Sequence, residues 1–167
     1  DMRYVSLRYF NATGYDVRGR IKVRERDVAN LSPVVMEAAA GLRDEIKVFG
    51  GDYPTPDGTC VRDYIHVNDL AAAHVCAMDH LLAGRDSLVL NLGAESGSSV
   101  LEVIAAAERV LGRAISHRLV ERRAGDPAEL IASSARAKRL FGWTARYSEL
   151  DTIFESMLPL YGLARAS

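Results

Sequence analysis

Segments with the pattern of β-strands alternate with helical segments along the whole sequence, and this alternation restricts the chain to few folds. Short runs rich in β-branched and aromatic residues predict strands at 3–9, 46–49, 61–67, 87–92 and 115–120. Apolar residues at helical spacing predict helices at 31–40, 70–82, 100–111, 135–141 and 149–160. Such alternation is typical of α/β proteins with crossover connections, and it argues against a β-sandwich or a helix bundle.

Local signals predict where several of these elements begin and end. Ser99 followed three residues later by Glu102 matches a capping box, and Gly112 is expected to end the helix that this box opens. Asn68 and Asp69 are predicted to cap the helix at 70–82. The segment 11–14 is predicted as a turn or the entry to a loop, and the charged segment 17–30 as a solvated loop.

The composition argues against several classes of function. The 167 residues are 49% hydrophobic and 26% charged, enough for one core, and 21 basic against 22 acidic residues leave no positive excess to attract nucleic acid or an anionic membrane. No apolar run approaches the roughly 20 residues that cross a bilayer. Cys60 and Cys76 lack CxxC spacing, so we expect free thiols in a cytoplasmic protein. The chain opens at Asp1 and soon enters a predicted strand, which we expect to be an interior strand of a longer protein.

Two signatures expected of an α/β oxidoreductase do not occur in the sequence. None of the 13 glycines forms a GxGxxG or GxxGxxG turn, and none of the seven tyrosines is followed four residues later by a lysine. We therefore expect that this segment holds no catalytic residue and that the main cofactor-binding loop lies elsewhere. His74, His80 and His117 have no carboxylate or cysteine at a metal-ligand spacing, so no metal site is predicted.

Two arginine-containing segments are candidates for anion binding. Alternation along the predicted strand 61–67 puts Arg62, Tyr64 and His66 on one face, and a planar guanidinium held there suits bidentate phosphate binding. The alternative is that Arg62 pairs with a neighbouring acid and that His66 is a satisfied core histidine. The loop that contains Arg122, Arg123 and Asp126 could hold a pyrophosphate and a ribose hydroxyl, or it could be an exposed salt-bridged loop.

Several motifs occur together and in order. They are LRYFNATG at 7–14, Asn30 with Leu31, VFGGDYPTPDGTCVRDYIHVNDL at 48–70, LNLGAESGSSVLEVI at 90–104 and ERRAGDPAEL at 121–130. With them the chain resembles UDP-glucose 4-epimerases of the extended short-chain dehydrogenase/reductase class over nearly its whole length. The resemblance implies the C-terminal part of an extended Rossmann-type fold, with the last sheet strands and a small α/β substrate-binding domain. Residues 1–167 would mainly form the UDP-sugar-binding subdomain, and the N-terminal NAD-binding Rossmann half would lie outside them.

The resemblance also implies a role for individual residues. Tyr9 and Phe10 would approach the nicotinamide of NAD and the sugar, Arg62 and Arg123 would hold the two phosphates, and Asp126 would bind the ribose. The other implied substrate contacts are Asn11 near the pyrophosphate, Asn30 and Leu31 beside the phosphates and nucleotide, and Lys47 and Phe49 at backbone positions that receive the uracil. Leu130 departs from the tyrosine of some members, and segment 20–25 departs from the glycine-containing, more acidic pattern of the family.

The activity implied by the resemblance is interconversion of UDP-glucose and UDP-galactose by a full-length homodimer, with NAD bound mainly by the other half. This segment would bind the UDP-sugar and would be inactive alone. Two other interpretations remain open: a non-catalytic UDP-sugar-binding module, and another nucleotide-sugar epimerase, dehydratase or decarboxylase of the same class.

Overall fold

The computed structural model describes residues 2–26 and 28–166, and these residues form alternating strands and helices. The opening Asp1, and Asp27 of the charged loop, lie outside the described residues. The strands are β1 (Val5–Arg8), β2 (Asn11–Thr13), β3 (Ile46–Phe49), β4 (Val61–Arg62), β5 (Tyr64–His66), β6 (Leu88–Asn91), β7 (Ser98–Ser99), β8 (His117–Val120) and β9 (Glu129–Leu130). The helices are α1 (Leu31–Ala39), α2 (Val67–Leu82), α3 (Val100–Leu111), α4 (Ala135–Phe141) and α5 (Leu150–Met157), followed by a 3-10 turn at Leu158–Tyr161.

Parallel strand pairs dominate the sheet structure. The pairs β1–β6, β2–β5 and β3–β8 are parallel, whereas β4 lies between an antiparallel β7 and a parallel β9. Paired strands are separated in sequence by helices, as crossover connections require. The prediction of an α/β fold is therefore confirmed.

The apolar residues form two separate cores. The larger one joins α1, α3 and α5 to β3, with Phe154, Met36 and Ile104 among its buried side chains. The smaller one lies where α2 and α4 cover β1 and β6, and it contains Leu90 and Trp143.

The segment predicted as one strand at 61–67 is two strands that belong to different sheets. β4 pairs with β7 and β9, β5 pairs with β2, and Asp63 stands between them. Asp63 is buried, and its carboxylate accepts hydrogen bonds from the backbone N–H groups of Ala94 (2.8 Å) and Ala132 (3.0 Å). Tyr64 then enters the larger core and Ile65 the smaller one, so this short segment links the two.

Helix termini follow the sequence signals in one case and depart from them in another. The capping box of Ser99 and Glu102 is present at α3, and Gly112 ends the helix in the left-handed conformation (φ 65°). The predicted cap of α2 is wrong, because His66 is the N-cap and its Nδ1 accepts the N–H of Asn68 at 3.0 Å. Asp69 instead accepts hydrogen bonds from Arg146 and Tyr147, which lie far away in sequence.

Residues 11–13 also differ from their prediction. They form β2 rather than a turn or loop entry, because their backbone pairs with β5, which lies some fifty residues later in the chain. Local composition could not reveal such a distant partner. Of the described helices, none is both long and apolar enough to cross a membrane.

Candidate nucleotide-sugar site

A cavity of about 530 Å³ lies between β3, β4, the start of α1 and the loop before β9. All eight residues predicted to bind substrate line it: Asn11, Asn30, Leu31, Lys47, Phe49, Arg62, Arg123 and Asp126. They come from well-separated parts of the chain, and the fold brings them to one place. The volume is within the usual range for small-molecule sites.

Among the described strands β3 pairs with β8 alone, and its other backbone edge lies at this cavity. The N–H groups of Ile46 and Gly50 donate to carbonyls on the β8 side, Ser116 at 2.9 Å and Val120 at 2.8 Å. Because backbone groups alternate in direction along a strand, those of Lys47 and Phe49 face the opposite edge. Both residues line the cavity, so this edge offers it donors and acceptors whatever the side chains are.

Arg62 reaches the cavity from β4 and is held by two contacts. Its Nη1 donates to the carbonyl of Val61 at 2.8 Å, and its Nη2 lies 3.6 Å from Oδ1 of Asp126. Its side chain is only 13% exposed, so solvent screens its charge weakly. The ion pair matches the structural alternative for Arg62, but the same guanidinium also lines the cavity.

His66 matches the structural alternative more fully. It is completely buried, and since Nδ1 accepts from Asn68, Nε2 carries the proton and donates to Oγ of Ser156 at 3.2 Å. Burial lowers the pKa of His66, although Asp69 and Asp16 act in the opposite direction. His66 is a buried, hydrogen-bonded group outside the cavity.

The neighbouring Arg122 and Arg123 have different surroundings. The guanidinium of Arg123 lies 3.7 Å from the centre of the Phe49 ring, at the cavity. Arg122 instead forms an ion pair with Asp52 at 2.5 Å and stacks over Tyr53, outside the cavity. Only one of these two adjacent cations is therefore placed to meet an anion there.

The asparagines differ in what their side chains already bind. Asn11 donates from Nδ2 to the carbonyl of Asp63 at 2.8 Å, which fixes the end of β2 and leaves its amide oxygen as an acceptor. Asn30 is the N-cap of α1, but its side chain makes no capping hydrogen bond.

Sequence reasoning did not assign a role to several other residues that line the cavity. Cys60 and Tyr64 lie on the Arg62 side, and burial raises the pKa of both groups, so both are protonated at neutral pH. Arg43 and Glu45 also line the cavity, and each is paired with another charged side chain, Glu37 at 2.9 Å and Arg118 respectively. Period-two alternation from Arg62 could have indicated Cys60 as well as Tyr64.

Tyr9 and Phe10 do not join this cavity. They follow β1 and line a second cavity, of about 380 Å³, beside the carboxyl ends of β1 and β6. Tyr9 is 40% and Phe10 45% exposed. Crevices at the carboxyl ends of parallel strands are where α/β proteins commonly bind ligands. Within the described part of the chain, no three His, Cys, Asp or Glu side chains cluster closely enough to hold a metal ion.

Comparison with known proteins supplies the family. A model of the NAD dependent epimerase/dehydratase family matches residues 1–93, more than half of the chain. A UDP-glucose 4-epimerase of Halalkalibacterium halodurans is 47% identical over 154 residues, which are 92% of this chain and 46% of that protein.

Solved structures agree with that result. The UDP-glucose 4-epimerase of Brucella ovis in complex with NAD has a TM-score of 0.93 at 45% identity, over 99% of this chain and 51% of that one. The Bifidobacterium longum enzyme in complex with NAD+ and UDP has a TM-score of 0.86 at 41% identity, over 95% of this chain and 47% of that one. The predicted fold, part of an extended Rossmann-type enzyme, is thus confirmed, although the chain spans only about half the length of the curated relatives it matches. The chain belongs to the NAD dependent epimerase/dehydratase family.

Proposed function

We propose that this chain is the UDP-sugar-binding portion of an NAD-dependent UDP-glucose 4-epimerase, whose catalytic groups and main NAD-binding loop lie in another part of a longer, homodimeric protein. The observation that carries the proposal is the single cavity lined by all eight predicted substrate residues. The relatives are named as UDP-glucose 4-epimerases, and one was solved with NAD+ and UDP.

The cavity offers a partner for each part of a UDP group. Uracil presents one N–H donor and two carbonyl acceptors on its edge, which the backbone groups of Lys47 and Phe49 can complement. Arg62 reaches the cavity from β4 and Arg123 from the loop after β8, and the two guanidiniums suit the two phosphates. Asp126, 36% exposed beside Arg62, suits a ribose hydroxyl.

The chemistry requires a firmly held nucleotide and a loosely held sugar. In the reaction that the resemblance implies, the 4-keto sugar must turn over between hydride removal and return. Arg62 and Arg123 would hold the diphosphate, which leaves the hexose free of strong clamps from this part of the protein. The acceptor oxygen of Asn11 and the amide of Asn30, which makes no capping hydrogen bond to α1, add neutral contacts near the diphosphate.

Tyr9 and Phe10 fit a cofactor contact. They are partly exposed at the carboxyl end of β1, where the second cavity opens. NAD, when bound, supplies the hydride acceptor for C4 of the sugar. On this chain Tyr9 and Phe10 would shield the nicotinamide end from water, and the rest of the cofactor would be held by the other half.

A titration with UDP tests the binding proposal. We expect the 167-residue chain to bind UDP, measured by calorimetry, and to show no turnover of UDP-galactose with added NAD. Turnover by the chain alone would contradict the assignment of catalysis to another portion. A folded chain that does not bind UDP would overturn the nucleotide-site proposal.

A comparison of nucleotide sugars separates the proposal from its alternatives. Calorimetry on the complete protein with UDP-, dTDP- and GDP-sugars is expected to favour UDP-glucose and UDP-galactose. A preference for another base would point to a different sugar-nucleotide enzyme of the class. A complete protein that binds UDP-galactose but does not epimerise it would support the non-catalytic binding module.

A further inference from the structure

The carboxylate of Asp57, which lies outside the cavity, links the loop before β4 to the start of α3 by hydrogen bonds. Oδ1 of Asp57 accepts hydrogen bonds from the N–H and Oγ1 of Thr59, both at 2.8 Å. Its Oδ2 accepts a hydrogen bond from Oγ of Ser99, the N-cap of α3. Burial opposes ionisation, but hydrogen bonds from Ser99 and Thr59 outweigh it and lower the pKa of Asp57, which is therefore ionised at neutral pH.

The same loop takes part in satisfying the backbone at the start of α3. The N–H groups of Val100 and Leu101 donate to the carbonyl of Cys60 at 3.2 Å and to Oγ1 of Thr59 at 3.4 Å. The two flanking N–H groups, of Ser99 and Glu102, are satisfied within the capping box. First-turn N–H groups of a helix have no partner inside the helix, so those of Val100 and Leu101 depend on the loop for their acceptors.

The attached loop continues directly into the strand that carries Arg62. Thr59 and Cys60 continue into β4, where Val61 and Arg62 pair with Ser99 and Ser98 of β7. α3 itself is fixed in the larger core by six buried residues, which provides a rigid reference for β4. A shift of Thr59 would therefore be transmitted over three residues to the arginine that lines the cavity.

We propose that Asp57 is a positioning residue for nucleotide binding, because its bridge between Thr59 and Ser99 fixes β4 and so the guanidinium of Arg62. This inference rests on the proposed UDP site. Asp57 does not line the cavity, so its effect on binding would be exerted through Arg62.

The test is a double-mutant cycle between Asp57 and Arg62, read by calorimetric UDP titration of chains shown to be folded by circular dichroism. Asp57→Ala leaves the three donors without their acceptor, and we expect the Kd for UDP to rise about tenfold. In an Arg62→Gln background the same change is expected to alter the Kd less than twofold. An equal loss in both backgrounds would show that Asp57 does not act through Arg62 and would overturn the proposal.

The matched control is Asp52→Ala in the same loop, because the partner of Asp52, Arg122, lies outside the cavity. The Kd of this variant for UDP is expected to stay within twofold of the wild-type value.

A second measurement tests the positioning without any ligand. The amides of Val61 and Asp63 are bonded to the carbonyls of Ala128 and Leu130. Their hydrogen exchange is expected to be about tenfold faster in Asp57→Ala than in the wild type, with Asp52→Ala unchanged. Unchanged exchange in Asp57→Ala refutes the positioning role, whereas a wild-type chain that fails to bind UDP refutes only the proposed function.

Discussion

Three arginine-to-glutamine variants provide a sharp test of the site, because the arginines differ in surroundings but not in chemistry. Arg62 is 13% exposed and lines the cavity, Arg123 is exposed and lines it, and Arg122 is exposed and lies outside it. Glutamine is shorter than arginine, but it keeps a polar side chain that can form hydrogen bonds and removes the charge. The expected order of loss in UDP affinity is Arg62, then Arg123, with no loss at Arg122.

The magnitudes follow from burial. A charge-assisted hydrogen bond contributes about 1.5–3 kcal/mol, so Arg62→Gln is expected to raise the Kd about 10- to 150-fold. The freed carboxylate of Asp126, 3.6 Å away, adds repulsion toward a diphosphate. Arg123 is screened by water and the Phe49 ring holds it in place, so Arg123→Gln is expected to raise the Kd about 3- to 10-fold.

The assay is calorimetric titration of UDP into each variant at about 0.15 M ionic strength. Arg122→Gln is the matched control, because it removes an adjacent guanidinium that pairs with Asp52. Equal losses for Arg122→Gln and Arg123→Gln would show that the loop acts only through its net charge. A smaller loss at Arg62 than at Arg123 would refute the argument from burial.

Three further predictions concern stability and ring stacking. Asp63→Ala removes the acceptor of buried N–H groups and is expected to lower the free energy of unfolding, measured by urea titration, by about 3–5 kcal/mol. The control Asp79→Ala, at an exposed position, is expected to lower it by less than about 0.5 kcal/mol. Equal losses would contradict the role of Asp63. Because burial lowers the pKa of His66, the unfolded chain binds a proton there that the folded chain does not, so stability should fall as the pH drops below 6.5. Urea unfolding at several pH values should show a smaller decline in His66→Gln, and an identical decline would refute this. Phe49→Leu keeps the backbone edge but removes the ring beneath the exposed Arg123, so the UDP Kd should rise about 2- to 5-fold in the wild type and not in an Arg123→Gln background.

The accuracy of the sequence predictions depended on the range of the interactions involved. The capping box of Ser99 and Glu102 and the stop at Gly112 were predicted correctly, because every group involved lies within a few residues. The prediction of a turn or loop entry at 11–14 was wrong for residues 11–13, because their hydrogen-bond partner is β5, far away in the chain. The break of the predicted strand at Asp63 likewise depends on distant backbone groups near 94 and 132.

The candidate site shows the same division. Its eight predicted residues came from the family resemblance, and the fold adds that they line one cavity while Tyr9 and Phe10 line another. Alternation along the strand from Arg62 indicates that Cys60 lies on the same face, but this contribution was not predicted. The roles of Asp57 and Thr59 could not be predicted, because they depend on the docking of a loop against the N-terminus of α3.

The sequence by itself determined the α/β class, the family and the residue types available for holding a diphosphate, because periodicity and motifs are local properties of the chain. The family resemblance named Arg123 rather than Arg122 as a phosphate ligand, but only the tertiary structure supplied the physical reason for that choice. Arg123 lies on Phe49, whereas Arg122 is drawn away by Asp52 and Tyr53. These partners lie some seventy residues earlier in the chain, and they come within reach only when β3 and β8 pair.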